Sequence, residues 1–244
     1  MIEATNLSKR FGETVALDGL SFTSRNGRIV GLLGPNGAGK TTALRILYGL
    51  LKADSGAVTI DGSDVESNKL EARRKIGALP DIQGLYPRLT ARENIYYFGR
   101  LHGIDEKTLK RRTGKLIEQF DMGSIADRSA QGFSHGERMK TSLARALVHD
   151  PPNVLLDEPT NGLDVPSVRA LRQVISNLRS DGRSVIFSSH VMQEVAALCD
   201  DIVIVARGKA VAVGSPDDIR RQAGCEDLEE AFVRLAGPEA GSAL

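Results

Sequence analysis

The 244-residue chain has no tryptophan, only two cysteines and four histidines, and a formal net charge of +1. Each scarcity closes off a class of protein. Cys199 and Cys225 are too few for a disulfide framework and lack metal-ligand spacing, so both are expected to be structural and to fit a reducing compartment. Lys and Arg are dispersed and almost balanced by Asp and Glu, which leaves no electrostatic footprint for nucleic acid, and no nucleic-acid partner is expected. Arg73-Arg74-Lys75 and Arg220-Arg221 read as solvated helix faces. No apolar run approaches the roughly 18 residues that a membrane-spanning helix requires, and the N-terminus lacks a signal-peptide pattern, so the chain is not expected to form a channel by itself. Internal repeats and low-complexity segments are absent. A chain of this length buries roughly 70–75% of its unfolded surface, enough for one sizeable core with a smaller attached lobe.

Against this plain background, four stretches stand out in a fixed order. The first runs Gly34-Pro35-Asn36-Gly37-Ala38-Gly39-Lys40-Thr41-Thr42 and fits the phosphate-loop pattern of Gly, four residues, Gly, Lys and Ser or Thr. Ile29 to Leu33 just before it reads as a buried strand, and a helix is expected from near Lys40 through Leu44, Ile46, Leu47 and Leu50. Gly34, Gly37 and Gly39 would let successive N–H groups turn inward around phosphate oxygens. Lys40 adds a point charge, the helix N-terminus about half a positive charge, and the Thr41 hydroxyl a ligand for Mg2+. A dinucleotide-binding reading is weaker, because Gly37-Ala38-Gly39 lacks the third glycine.

Asn153 to Leu156 is an apolar run ending in Asp157-Glu158, the pattern of a buried strand that delivers two carboxylates to its carboxyl edge. Alternation along the strand would send Asp157 to a Mg2+ shell and Glu158 to an attacking water. Ser184 to Phe187 is a similar run leading to Ser188-Ser189-His190, and a neutral imidazole there could bridge Glu158, the water and a γ-phosphate. No catalytic role is expected for His102, His135 or His149. In Phe133-Ser134-His135-Gly136-Glu137, Ser134 and Glu137 have capping-box spacing; the stretch is either an ordinary helix start or a second anion site.

Together these residues resemble the ATP-binding subunit of an ATP-binding cassette (ABC) transporter, from about Ile2 to Gly214. The resemblance implies an α/β P-loop NTPase core of RecA-like type, with an antiparallel β lobe and an inserted helical subdomain. It implies two such subunits facing head to tail over ATP and Mg2+, with Ser134 and Gly136 touching the γ-phosphate in trans and Asp164 communicating across the dimer. Phe11 matches the aromatic that stacks on adenine. The implied partners are a second copy of the chain and an integral membrane permease on a separate polypeptide, at the cytoplasmic face of the cell membrane. The signature departs from the common Leu-Ser-Gly-Gly-Gln at His135 and Glu137. Asp81 stands where most relatives have Gln, so either Asp81, as a further Mg2+ ligand, or Gln83 takes that role. The segment Gly84 to Asn94 is similar to the NatA-like branch of exporters. Rival readings within the family are a ribosome-associated factor, a DNA-maintenance ATPase, or a regulatory module with vestigial hydrolysis; the first two are disfavoured by the single cassette and the absence of a coiled-coil insertion.

Strands near Ile2–Leu7, Val15–Phe22 and Ala57–Ile60 are expected to form the antiparallel lobe that carries Phe11. The expected organisation is one ABC ATPase domain over 1–220, with residues 1–85 and 151–220 as core and lobe and 86–150 as the helical subdomain, followed by a C-terminal helix and tail over 221–244. Thr90 and Glu93 form another capping box, after a loop that exposes Leu85, Tyr86 and Pro87. Leu228, Ala231, Phe232 and Leu235 make one apolar stripe expected to pack on the core.

Overall fold

The computed structural model describes residues 1–81 and 84–237; Gln83 and the tail beyond Gly237 lie outside them. The chain opens with β1 (Ile2–Phe11), β2 (Thr14–Ser24), β3 (Ile29–Leu33) and α1 (Lys40–Leu47). Next come β4 (Ser55–Ile60), β5 (Ser63–Asp64), α2 (Lys69–Arg74) and β6 (Ile76–Leu79). Three helices follow without a strand between them: α3 (Ala91–Leu101), α4 (Glu106–Gln119) and α5 (His135–Leu147). The chain then resumes alternation with β7 (Asn153–Leu156), α6 (Val165–Ser180), β8 (Ser184–Ser189) and α7 (Met192–Leu198). It closes with β9 (Asp201–Ala206), β10 (Lys209–Gly214), α8 (Pro216–Ala223) and α9 (Leu228–Ala236).

The larger sheet has the order β10-β9-β3-β8-β7-β6, parallel throughout except for β10. Its strands are apolar at nearly every position because both faces are covered. Ile29, Leu33, Val154, Leu156, Val185 and Phe187 point to the helices, whereas Val30, Leu32, Leu155 and Ile186 point to the antiparallel lobe. That lobe is the sheet β2-β1-β4-β5, as the sequence predicts, with α1 sandwiched between it and the parallel sheet. The helices α3 to α5 are the inserted helical subdomain, and the capping box of Thr90 and Glu93 opens α3 with both reciprocal bonds made. Leu228, Ala231 and Phe232 bury the α9 stripe against the helix-side core.

Two expectations need correction. The helix after the phosphate loop ends at Leu47 rather than running through Leu50, because Gly49 takes a φ of +65° and the Leu50 N–H turns back to the Arg45 carbonyl. Leu50 is left 66% exposed. The basic pair Arg73 and Lys75 is also more than a solvated face. Arg73 donates to the carbonyl of Gly49, and Lys75 to the Ser63 hydroxyl and the Glu71 carboxylate. Cys199 is buried against Gly31, and burial pushes its thiol pKa up, which suits a structural role.

Where the helical subdomain meets the core, His102 and His149 stack with ring centroids 3.7 Å apart. His149 Nε2 donates to the Ile76 carbonyl at 2.9 Å. Burial, reinforced by the neighbouring His102, pushes the His149 pKa down to about 4, so the ring is neutral in the folded protein. Because the folded value is depressed, the unfolded chain binds the proton first. Stability is therefore full above about pH 6.5 and lost, at up to about 1.4 kcal/mol per pH unit, as pH falls toward the folded value. Urea denaturation of wild type and His149→Gln between pH 7 and 4 is expected to show a shallower loss in the variant; equal slopes would mean that the ring does not carry this dependence.

Candidate active site

Neighbouring strands of the parallel sheet end at one edge, β7 and β6 stopping two residues short of β8 and β3. Leu33 of β3 pairs with Ser189 of β8, Phe187 of β8 with Leu156 of β7, and Leu156 with Leu79 of β6. The phosphate loop, His190, Asp157-Glu158 and Asp81 therefore leave adjacent strands at the same edge. They meet in one cleft of about 340 Å³, lined by residues 36–42, Asp81, Glu158 and His190, together with Thr14 to Ala16 of β2 and with Asn161.

Local geometry explains the glycines of the loop. A Cβ on Gly34 would lie 2.2 Å from the Val205 carbonyl oxygen, so this glycine is required by close approach, whereas Gly39 takes a φ of +109° to start α1. Lys40 is 5% exposed; its ammonium donates to the carbonyls of Gly34 (2.7 Å) and Pro35 (3.2 Å) and lies 3.3 Å from Glu158 Oε1.

The carboxylates are separated by a different device from the expected strand alternation. Strand β7 ends at Leu156, and Glu158 lies beyond it with a left-handed φ of +46°. That torsion turns the two side chains apart. Asp157 goes down to the start of α1, accepting from the Thr41 hydroxyl at 3.2 Å and the Ser188 hydroxyl at 2.7 Å. Glu158 goes across to His190, with Oε2 2.9 Å from Nδ1. Ser188 serves both, since its hydroxyl oxygen also accepts the Glu158 N–H at 2.9 Å. Burial raises the Asp157 pKa; the Ser188 and Thr41 hydroxyls oppose that shift, and the negative charges of Glu158 and Asp81 add to it.

The remaining predicted residues lie outside the cleft. Phe11 is 51% exposed at the end of β1, paired with Thr14, which does line the cleft. Ser134 caps α5 in a complete capping box with Glu137, Gly136 stands in the first turn of that helix, and Asp164 caps α6 through the Ser167 N–H. Glu137 thus supports the local geometry, held also by Arg128. Thr14 to Ala16, Asn161 and Ser188 are additions to the residues expected from the sequence. A further addition is Glu194, buried on α7, which accepts from Thr160 at 2.5 Å and from Ser189 at 3.0 Å and so ties the two loops that carry Glu158 and His190. The serine pair before His190 was the available signal.

The family model described as ABC transporter matches residues 17–161, which include the phosphate loop, the capped α5 and the Asp157-Glu158 pair. The chain belongs to the ABC transporter family. This ABC chain is 40% identical to the ABC transporter ATP-binding protein NatA of Bacillus subtilis over 238 residues, covering 96% of this chain and 97% of that one. It is 35% identical to the linearmycin resistance ATP-binding protein LnrL of the same organism, covering 96% of this chain and 75% of the relative. Among solved structures, the ATP binding subunit of an ABC transporter superposes with a TM-score of 0.90 at 30% identity, covering 97% of this chain and all of that one. A dimeric cassette in a post-hydrolysis state bound to ADP and Pi superposes with a TM-score of 0.80 at 25% identity, covering 88% and 98%. The fold is accordingly that of an ABC ATPase, and the chain is an ATP-hydrolysing, ATP-binding subunit homologous to exporter ATPases.

A donor set of Thr41 and Asp157 oxygens, with Asp81 on the cleft wall, contains oxygen only and suits a hard divalent cation. The raised Asp157 pKa means that its charge opposes folding at neutral pH, a penalty relieved as pH falls. Asp157→Asn is therefore expected to raise the Tm of the nucleotide-free protein while abolishing Mg2+-dependent ATP hydrolysis. Thermal melts with and without Mg2+ check this, and a lower Tm in the variant would contradict the desolvation argument.

Proposed function

We propose that the chain dimerises over two MgATP and powers a separate membrane permease, an exporter of sodium, drug or lipid type, at the cytoplasmic face of the cell membrane. The observation that carries the chemistry is the line Lys40, Glu158, His190 above the Thr41–Asp157 pair at one sheet edge. Glu158 polarises the attacking water and takes its proton, and His190 keeps that carboxylate oriented in line with the γ-phosphate. Lys40 and the N–H groups of residues 34–42 neutralise phosphate charge as it develops. Thr41, Asp157 and Asp81 would hold Mg2+, which when bound screens the phosphate oxygens. Ser134 and Gly136 at the start of α5 face the γ-phosphate held by the other subunit, Asp164 lies on the same interface, and Phe11 stacks on adenine. The dimeric cassette with ADP and Pi supports this arrangement.

The permease docks where the helical subdomain meets the core. Tyr86, Tyr97 and Phe98 form an aromatic cluster there, with Tyr86 and Tyr97 ring centroids 5.3 Å apart, and Tyr86 and Leu50 are large apolar side chains left 47% and 66% exposed. No helix among the described residues is long and apolar enough to cross a membrane.

Glu158→Gln is expected to lower kcat by roughly 10²–10⁴-fold while retaining ATP binding, so that ATP drives a closed dimer visible by size-exclusion chromatography. Rapid turnover by that variant would remove Glu158 from its role. Purification of the tagged chain from native membranes in mild detergent is expected to recover a multi-spanning protein at about equal stoichiometry, and recovery with ribosomes or DNA instead would overturn the transport reading.

A further inference from the structure

The signature segment is fastened to the Glu158 loop of its own chain through His135, one of the residues at which it departs from the common pattern. His135 Nε2 donates to the Asn161 carbonyl at 2.9 Å, and its ring covers Gly162, whose φ is +72° and whose absent Cβ would lie 3.6 to 4.0 Å from three ring atoms. The same helix start packs closely on α6, since a Cβ at Gly136 would lie 3.0 Å from Ser167 Oγ. Asn161 is not a remote anchor. It lines the cleft, and its N–H closes a turn onto the Glu158 carbonyl at 3.2 Å. Between them, Thr160 is pinned by Glu194, which also holds Ser189 beside His190. One loop of four residues, Glu158 to Asn161, is thus held at one end by the His190 segment and at the other by the N-terminus of α5.

We infer that His135 is a positioning residue that couples the placement of the signature helix to the Glu158 loop of the same chain. This rests on the dimer reading above, in which that helix serves the ATP held by the partner copy. A shift of the α5 N-terminus on engaging that ATP would move the Asn161 carbonyl, and the short turn passes the movement to the Glu158 backbone. The two sites then act together. Glycine at this position has no donor and could not make the link, whereas a glutamine side chain carries an N–H of similar reach.

The test is steady-state ATPase activity of the purified full-length chain against ATP concentration, for wild type, His135→Ala and His135→Gln. His135→Ala is expected to lower kcat roughly 5–10-fold, the size of one neutral hydrogen bond, with little change in KM or Tm. Its Hill coefficient is expected to fall from about 2 toward about 1, and His135→Gln to restore it. Unchanged kcat and Hill coefficient in His135→Ala, or a glutamine variant as defective as the alanine variant, would overturn the coupling. Size-exclusion chromatography of Glu158→Gln with ATP separates the two levels: a dimer with no effect of His135 removes only the coupling, whereas no dimer removes the head-to-tail reading and the coupling with it.

Discussion

Everything at the site depends on the register of three parallel strands held between two apolar layers. Because β3, β8 and β7 are adjacent and β7 ends at Leu156 opposite Phe187, Asp157 follows on beside Ser188 at about one strand spacing, roughly 4.8 Å, before any side chain is placed. That spacing lets one hydroxyl, Ser188, reach both the Asp157 carboxylate and the Glu158 backbone. A one-residue slip of β8 would turn Ile186 and Phe187 to the wrong layers and carry Ser188 away from both partners. Core packing and catalytic geometry are therefore set by the same constraint.

The electrostatics follow from depth. Asp157 lies below the cleft floor, where water is excluded and hydroxyls are its partners, while Glu158 lies nearer the surface between a cation and an imidazole. Two carboxylates adjacent in sequence thus have different environments, the basis on which we propose that Asp157 binds metal and Glu158 moves a proton. The short loops after each strand are pinned by neutral hydroxyls and by Glu194 rather than by surface ion pairs, which salt would screen.

Much of this was legible in the residues themselves. The phosphate loop, the carboxylate pair and His190 each combine a local pattern with a preceding apolar run, and the capping boxes at Thr90 and Ser134 are written in four consecutive residues. What was not legible depends on residues distant in sequence becoming neighbours. Thr14 to Ala16 reach the cleft only because the antiparallel lobe folds over α1, and Ser188 and Glu194 gain meaning only from the register of β8 with β7. His135 had a similar status: its spacing made it a departure from a pattern, and only its contact with the Asn161 carbonyl made it a bond. Asp157 and Glu158 part as strand alternation predicts, but both lie beyond Leu156, and a left-handed backbone at Glu158 takes the place of the strand.

That torsion sets two selective pressures against each other. A left-handed glutamate costs on the order of 1–3 kcal/mol relative to a relaxed backbone, and glycine would adopt the same φ of +46° without strain. On the proposed mechanism, losing the side chain here would gain stability and forfeit turnover. Stability and turnover would then be opposed at one position, through a single backbone torsion.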